Sequence, residues 1–193
     1  MDPKEFFAKA IDQASPCVRR LEAGDLDKPT PCTEWNVKAL LNHMVYELRW
    51  VPDILRGKTV QEVGSAYDGD LLGSDPLNAW HHAADGALVA AKQADPEMLV
   101  HLSYGDVLAK EYIAEVGRDM LIHGWDVGQA LRCTMVFDKA IAQAIYDEMN
   151  PKREEFVRSS MFADPIEVTD DADIQTKLLA LYGRTAKWGA SLA

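Results

Sequence analysis

The chain has 193 residues, enough to bury a core without staples and short enough to favour one domain spanning 1–193. Apolar residues make up 48% and charged residues 26%, which excludes a disordered chain. A net charge of -11 with no local Lys/Arg run argues against nucleic acid and anionic membrane surfaces as partners, and no window approaches the ~20 apolar residues of a membrane helix.

In chain order, Asp2-Pro3 opens a first helix, running from about Lys4 to Ala23 and stopped by Gly24. The acidic start has no long apolar run behind it and does not read as a signal peptide. Lys28-Pro29-Thr30-Pro31-Cys32-Thr33 is a stiff loop. Thr33 is the expected N-cap of a second helix carrying Trp35 to about Arg56, with Glu34 in its first turn. Lys58 to Ser74 reads as a long loop. Ser74 or Asp75 caps a third helix that opens on Pro76 and runs to about Ala94.

Residues 99–109 change period, and a Gly105-Asp106 turn between two short apolar runs suggests a small β-hairpin. A fourth helix spans about Lys110 to Cys133, and a fifth about Asp138 to Asn150, stopped by Pro151. Lys152 to Asp170 is mixed. A last helix runs from Ala172 to Leu181, ended by Tyr182-Gly183. Four long helices, short extra ones and little strand imply an all-α bundle. Cys17, Cys32 and Cys133 are odd in number, far apart and form no Cys-x-x-Cys pair, which argues against a zinc knuckle or redox couple and places the protein in the cytoplasm.

The fourth helix carries the chemistry. At 100° per residue, Tyr112, Val116, Met120, Val127, Ala130 and Leu131 share one stripe, and Asp119 and His123 fall inside it. They are four apart, so their side chains stack one turn apart. A carboxylate and an imidazole in a core cost several kcal/mol unless compensated, roughly in line with other buried charges. A divalent cation compensates both; a hydrogen-bonded Asp–His pair without metal is the rival reading. On the second helix, Val37, Leu40, Leu41, Met44, Leu48, Val51 and Leu55 form the apolar stripe. His43 sits at its edge, with Glu47 one turn later, where it can face a ligand pair on another helix.

His81 aligns with Leu77, Ala84 and Leu88 and is a reserve ligand; His82 and His101 read as surface or core polar residues. Asp126 stands at the stripe edge, suited either to orient a ligand by hydrogen bonding or to pair with Arg118 or Arg132. Trp50, Trp80, Tyr104 and Trp125 are candidate pocket or core aromatics.

Thr30-Pro31-Cys32-Thr33-Glu34-Trp35-Asn36-Val37, followed by Leu40-Leu41-Asn42-His43, resembles the opening of the mycothiol-dependent maleylpyruvate isomerase metal-binding domain, of the DinB-like (YfiT-like) helical-bundle superfamily. Asp119-Met120-Leu121-Ile122-His123-Gly124-Trp125-Asp126 is similar to that group's second signature, and Leu178 to Arg184 to the end of its small single-domain members. The resemblance implies a DinB-like four-helix bundle of up-down-down-up type. It also implies one divalent metal, often zinc, with nickel or another divalent ion as alternatives, held by His43, Asp119 and His123.

Three protein ligands leave a position open, and the resemblance implies thiol-dependent transfer or isomerisation there, with mycothiol or a similar thiol as cofactor. Glu47 and Asp126 are candidates for its general base. Metal-assisted hydrolysis, a non-catalytic metal-binding or ligand-sensing bundle, and a bundle with no metal are the alternatives. The expected partner is a small-molecule substrate or thiol, and a homodimer is compatible with an apolar bundle. Two departures stand out. The acidic ligand, often Glu in the isomerases, is Asp119 here. The isomerases also carry a C-terminal domain that this chain is expected to lack, since it ends just after Gly183-Arg184, so maleylpyruvate isomerisation is not carried over.

Overall fold

A computed structural model describes residues 1–154 and 163–188. The part of the mixed 152–170 stretch that falls on 155–162 lies outside the described residues. The long helices are α1 (Pro3–Val18), α2 (Val37–Ile54), α4 (Pro76–Gln93) and α5 (Ala109–Ala130), with a single helical turn, α3 (Val60–Val63), between α2 and α4. Among the described residues the other α-helices are α6 (Lys139–Met149) and α7 (Ile174–Leu181). A hairpin is present, with its turn two residues earlier than expected: β1 (Leu99–Leu102) pairs antiparallel with β2 (Gly105–Leu108), Val100 opposite Val107, so Ser103-Tyr104 forms the turn and Gly105 and Asp106 open β2. α1 packs along α5, α2 packs along α4 and against α5, and α6 packs on α7. This is an all-α bundle with one small hairpin, and none of its described helices is long and apolar enough to cross a membrane.

Caps set most boundaries. Asp2 accepts from the amides of Lys4 and Glu5, Asp75 from Asn78, Asp138 from Ala140 and Ile141, and Asp173 from Thr176, each satisfying amides that a helix start leaves free. α1 ends five residues before the expected Ala23. Its apolar stripe finishes at Val18, and Arg19-Arg20 has nothing to bury. α2 starts four residues after the expected cap. Asn36, not Thr33, caps it by accepting from the Ala39 amide. The Thr30 hydroxyl donates to the carbonyls of Cys32 and Trp35 and closes a tight loop ahead of the helix. Glu34 and Trp35 therefore belong to that loop. The 58–74 stretch, expected to be all loop, contains α3, held by a Thr59–Glu62 capping box.

α5 is the central helix, buried from Met120 to Gly128 without a break. It reaches α1 through three glycines. A Cβ on Gly117 would lie 2.8 Å from the Phe6 ring, on Gly124 2.5 Å from Ala14 Cβ, and on Gly128 3.3 Å from Cys17 Sγ as well as 2.8 Å from the Cys133 carbonyl. The close approach brings Cys17 of α1 to Cys133, just beyond α5, where they form a disulfide across 116 residues of sequence. The sequence reading left these cysteines unpaired. With two of them joined, cysteine usage no longer points to a reducing compartment. The protein denatured without reductant is expected to titrate one thiol per chain, Cys32, and three after reduction; three before reduction would refute the cross-link.

Candidate metal centre

His43 (α2), Asp119 and His123 (both α5) converge. His43 Nε2 lies 3.1 Å from Asp119 Oδ2, and His123 Nε2 lies 3.3 Å from Asp119 Oδ1. One donor atom from each residue falls within 4.8 Å of the other two. A tetrahedral zinc with bonds of about 2.0–2.1 Å holds its ligand atoms about 3.4 Å apart. The donor set of two imidazoles and one carboxylate suits such an ion, and its three side chains stand close enough to draw in around one; the 3.1 and 3.3 Å contacts fall on the two different oxygens of Asp119 and are hydrogen-bond distances. Cys32, His123 and Asp126 are also mutually close, but Asp126 and the second nitrogen of His123 are already engaged with each other, so that set is the poorer one.

Asp126 is completely buried, and it neither reaches the surface nor pairs with Arg118 or Arg132. Its Oδ2 lies 3.1 Å from His123 Nδ1 and 2.8 Å from Arg184 Nη2, and Arg184 Nε donates to both its oxygens at 3.3 Å. A carboxylate behind a ligating histidine fixes which nitrogen carries the proton. With both oxygens taken, Asp126 has no face toward a substrate. Arg184 carries out this clamping, and its role was missed in the sequence; its only signal there was its place in the tail block.

Burial alone would push the Asp119 carboxyl up, but the charge and hydrogen bonds of His123 and His43 hold it far below the usual carboxylate range. Burial disfavours a charged His123, but Asp119 and then Asp126 outweigh it and raise it to about 9. Glu47, half-buried and 4.0 Å from His43 Nδ1, is pushed up to about 7 by burial first, then by the charges of Asp119 and Glu115.

The stabilisation from charged His123 is complete below its ordinary pKa of about 6.5 and lost as pH rises through its folded value near 9. That from Asp119 is present above the ordinary carboxylate range and is lost only in strong acid. A metal reverses the trend, because it takes neutral imidazole. Metal-free protein is thus expected to lose thermal stability between pH about 6.5 and 9, while the increment from added zinc grows over the same interval. Melts with chelator and with zinc at several pH values check this; a flat metal-free profile would contradict it.

The triad forms part of the wall of a cavity of about 790 Å³. The 31–35 loop supplies Cys32 and Trp35; α2 and α5 supply Glu47, Tyr112, Glu115 and Arg118; α6 supplies Met149, and the chain after α7 supplies Tyr182 and Arg184. The Trp35 ring lies 4.6 Å from that of His43 and 5.7 Å from that of His123, covering both imidazoles. The Cys32 thiol is raised, mainly by burial, with Arg184 opposing.

The other sequence candidates lie elsewhere. His81 is exposed, at the edge of a row whose Ala84 is buried, and does not line the cavity, so it is no reserve ligand. His101 pairs with Asp106 in the hairpin. Trp50, Trp80 and Trp125 are core residues, and Tyr104 is exposed, its hydroxyl donating to Glu115. None of these four aromatics lines the cavity.

The family model described as mycothiol maleylpyruvate isomerase N-terminal domain matches residues 7–128. Two uncharacterized proteins of Mycobacterium tuberculosis, from two strains, are each 26% identical to the chain over 149 residues, covering 74% of this chain and 74% of the relative. No solved structure matches the chain.

Proposed function

The chain belongs to the mycothiol maleylpyruvate isomerase N-terminal domain family, and we propose on that premise that His43, Asp119 and His123 hold one divalent ion, zinc first among the candidates, for the transfer or isomerisation chemistry of a low-molecular-weight thiol such as mycothiol. The observation that carries this reading is the opening of three convergent donor atoms onto a cavity large enough for a small-molecule ligand. A divalent ion there supplies a Lewis acid with a position left for a sulfur or oxygen atom, whose pKa it lowers.

The chain's own residues do the rest. His43 and His123 offer neutral nitrogens, and His123 keeps its proton on Nδ1, from which it donates to Asp126 Oδ2. Asp119 adds one negative charge, so the filled site carries a net positive charge and favours an anionic sulfur. Trp35 covers the two imidazoles and excludes water from that side. Glu47 stands on the cavity wall beside His43 and is the residue placed to receive a proton from an incoming ligand. Asp126 is withdrawn as a general base by its burial.

This chemistry calls for a small-molecule or thiol partner in its reduced form, while the Cys17–Cys133 disulfide gives no support to a reducing compartment for the protein itself.

Two measurements test the reading. Elemental analysis after zinc supplementation is expected to give one ion per chain. Mycothiol with a panel of electrophiles is expected to give conjugate or isomerised product, abolished by chelation. Hydrolysis without thiol turnover would favour a metal-bound water. Metal with neither activity would favour a ligand-sensing bundle. No bound metal at all would leave a buried Asp–His pair.

A further inference from the structure

The family match ends at residue 128, yet the group that clamps Asp126 behind His123 comes from beyond it. We propose that Arg184 is a positioning residue for the metal site. From the chain after α7 it locks Asp126, and Asp126 thereby holds the His123 ring with Nε2 facing Asp119 and His43. The inference rests on the metal reading of that triad.

The geometry has three parts. First, Asp126 is fully enclosed, and Arg184 is the cation that meets it. Nε donates to both carboxylate oxygens at 3.3 Å and Nη2 to Oδ2 at 2.8 Å, so the carboxylate plane is fixed against rotation. The same Oδ2 lies 3.1 Å from His123 Nδ1. Second, Arg184 is itself held. Its Nη1 donates to the Tyr182 carbonyl at 2.8 Å, and its amide donates to the Leu179 carbonyl at 2.8 Å. The turn that aims it passes through Gly183 at φ 73°, a left-handed conformation suited to glycine, and a Cβ there would lie 2.6 Å from Ala163 Cβ.

Third, α7 is docked independently of the site. Gln175 accepts from the Phe137 amide at 2.9 Å and donates to the Met135 carbonyl at 3.0 Å, and Leu178, Leu179 and Leu181 are buried. α7 thus delivers a planar guanidinium beneath His123. A lysine would reach Asp126 as a point charge without fixing its plane.

The test measures zinc and cobalt(II) affinity by competition with a chromophoric chelator, together with the cobalt absorption spectrum, on full-length protein well below its melting temperature. Arg184→Met is expected to weaken binding by about 10- to 100-fold, the usual range for loss of a partner behind a ligand, and to shift the cobalt bands. Arg184→Lys recovers part of the affinity. Asp126→Asn weakens binding similarly, and the double variant is no weaker than the worse single one, as for two residues acting as one unit. Gln175→Ala lowers the melting temperature but leaves affinity and spectrum unchanged.

Equal affinity and spectrum for wild type and Arg184→Met would overturn the inference while leaving the metal reading in place. Loss of affinity in Gln175→Ala to the same degree would overturn it too, by making Arg184 one tail anchor among others. A wild type that binds neither ion would remove the metal reading and the inference with it. Should Arg184→Met fail to fold, Arg184→Lys and Asp126→Asn carry the same comparison.

Discussion

Alanine at His123 is expected to abolish stoichiometric metal binding. The substitution removes a donor nitrogen and the partner that Asp119 and Asp126 share, so a two-ligand remnant is left beside a clamped carboxylate. The loss should exceed ~100-fold, beyond the range of about 10–100-fold seen when only an outer partner is removed. His43→Ala should behave alike, because its Nε2 supplies the third donor from the opposite helix. His81→Ala, on an exposed face, should change nothing. Metal content and chelator competition decide the matter. Because His123 is buried, His123→Gln, which keeps a polar side chain there, separates loss of a ligand from loss of the fold. A His123→Ala protein that retained one ion at wild-type affinity would place the ion elsewhere.

Gly124→Ala should destabilise the protein, against the helix-propensity trend. In an open helix interior this change stabilises by roughly 0.5–1 kcal/mol. Gly86 on α4, where a Cβ meets only the Pro52 ring at 4.0 Å, should follow that rule. At Gly124 the new carbon would stand 2.5 Å from Ala14 Cβ and 3.1 Å from Ala14 Cα, and backbone cannot swing aside. Such overpacking costs about 1–3 kcal/mol. For a chain of this length each kcal/mol lowers the melting temperature by roughly 2–4 °C. Ala14→Gly in the same protein should restore part of the loss, since it removes the nearer contact. Because Gly124 adjoins His123, a displaced α5 should also weaken metal binding. A Gly124→Ala protein more stable than wild type would refute the packing of α1 on α5.

Local chemistry was legible in the sequence where it had a local cause. Asp2-Pro3 and Asp75-Pro76 marked the starts of α1 and α4, and the change of period at 99–109 marked a hairpin, although its turn is Ser103-Tyr104 and not Gly105-Asp106, and α7 starts at Ile174 and not Ala172 because Asp173 caps it. Asp119 and His123 declared themselves by falling on an apolar stripe, and His43 by its edge position. Interactions between distant segments were not legible. Thr33 has the right chemistry for a cap, yet Thr30 closes its own loop first and leaves the role to Asn36; Trp35 is thereby freed to cover the imidazoles. His81 matched an apolar row on the helical wheel, and Ala84 of that row is buried, but His81 itself lies at its exposed edge. Arg184 could be matched as part of a motif, yet its partner lies 58 residues away in the chain. Cys17 and Cys133 carry no spacing signal at all, because their meeting depends on glycines that let two helices touch.

That sulfur–sulfur bond makes a covalent ring of residues 17 to 133, enclosing α2 to α5. A protease that nicks the chain once inside the ring, for instance between α2 and α4, cannot release a fragment. The cut protein would run as a single band on a denaturing gel and fall into two pieces only when a reductant is added. A lysate digested without reductant would therefore make this molecule look more protease-resistant than its backbone is.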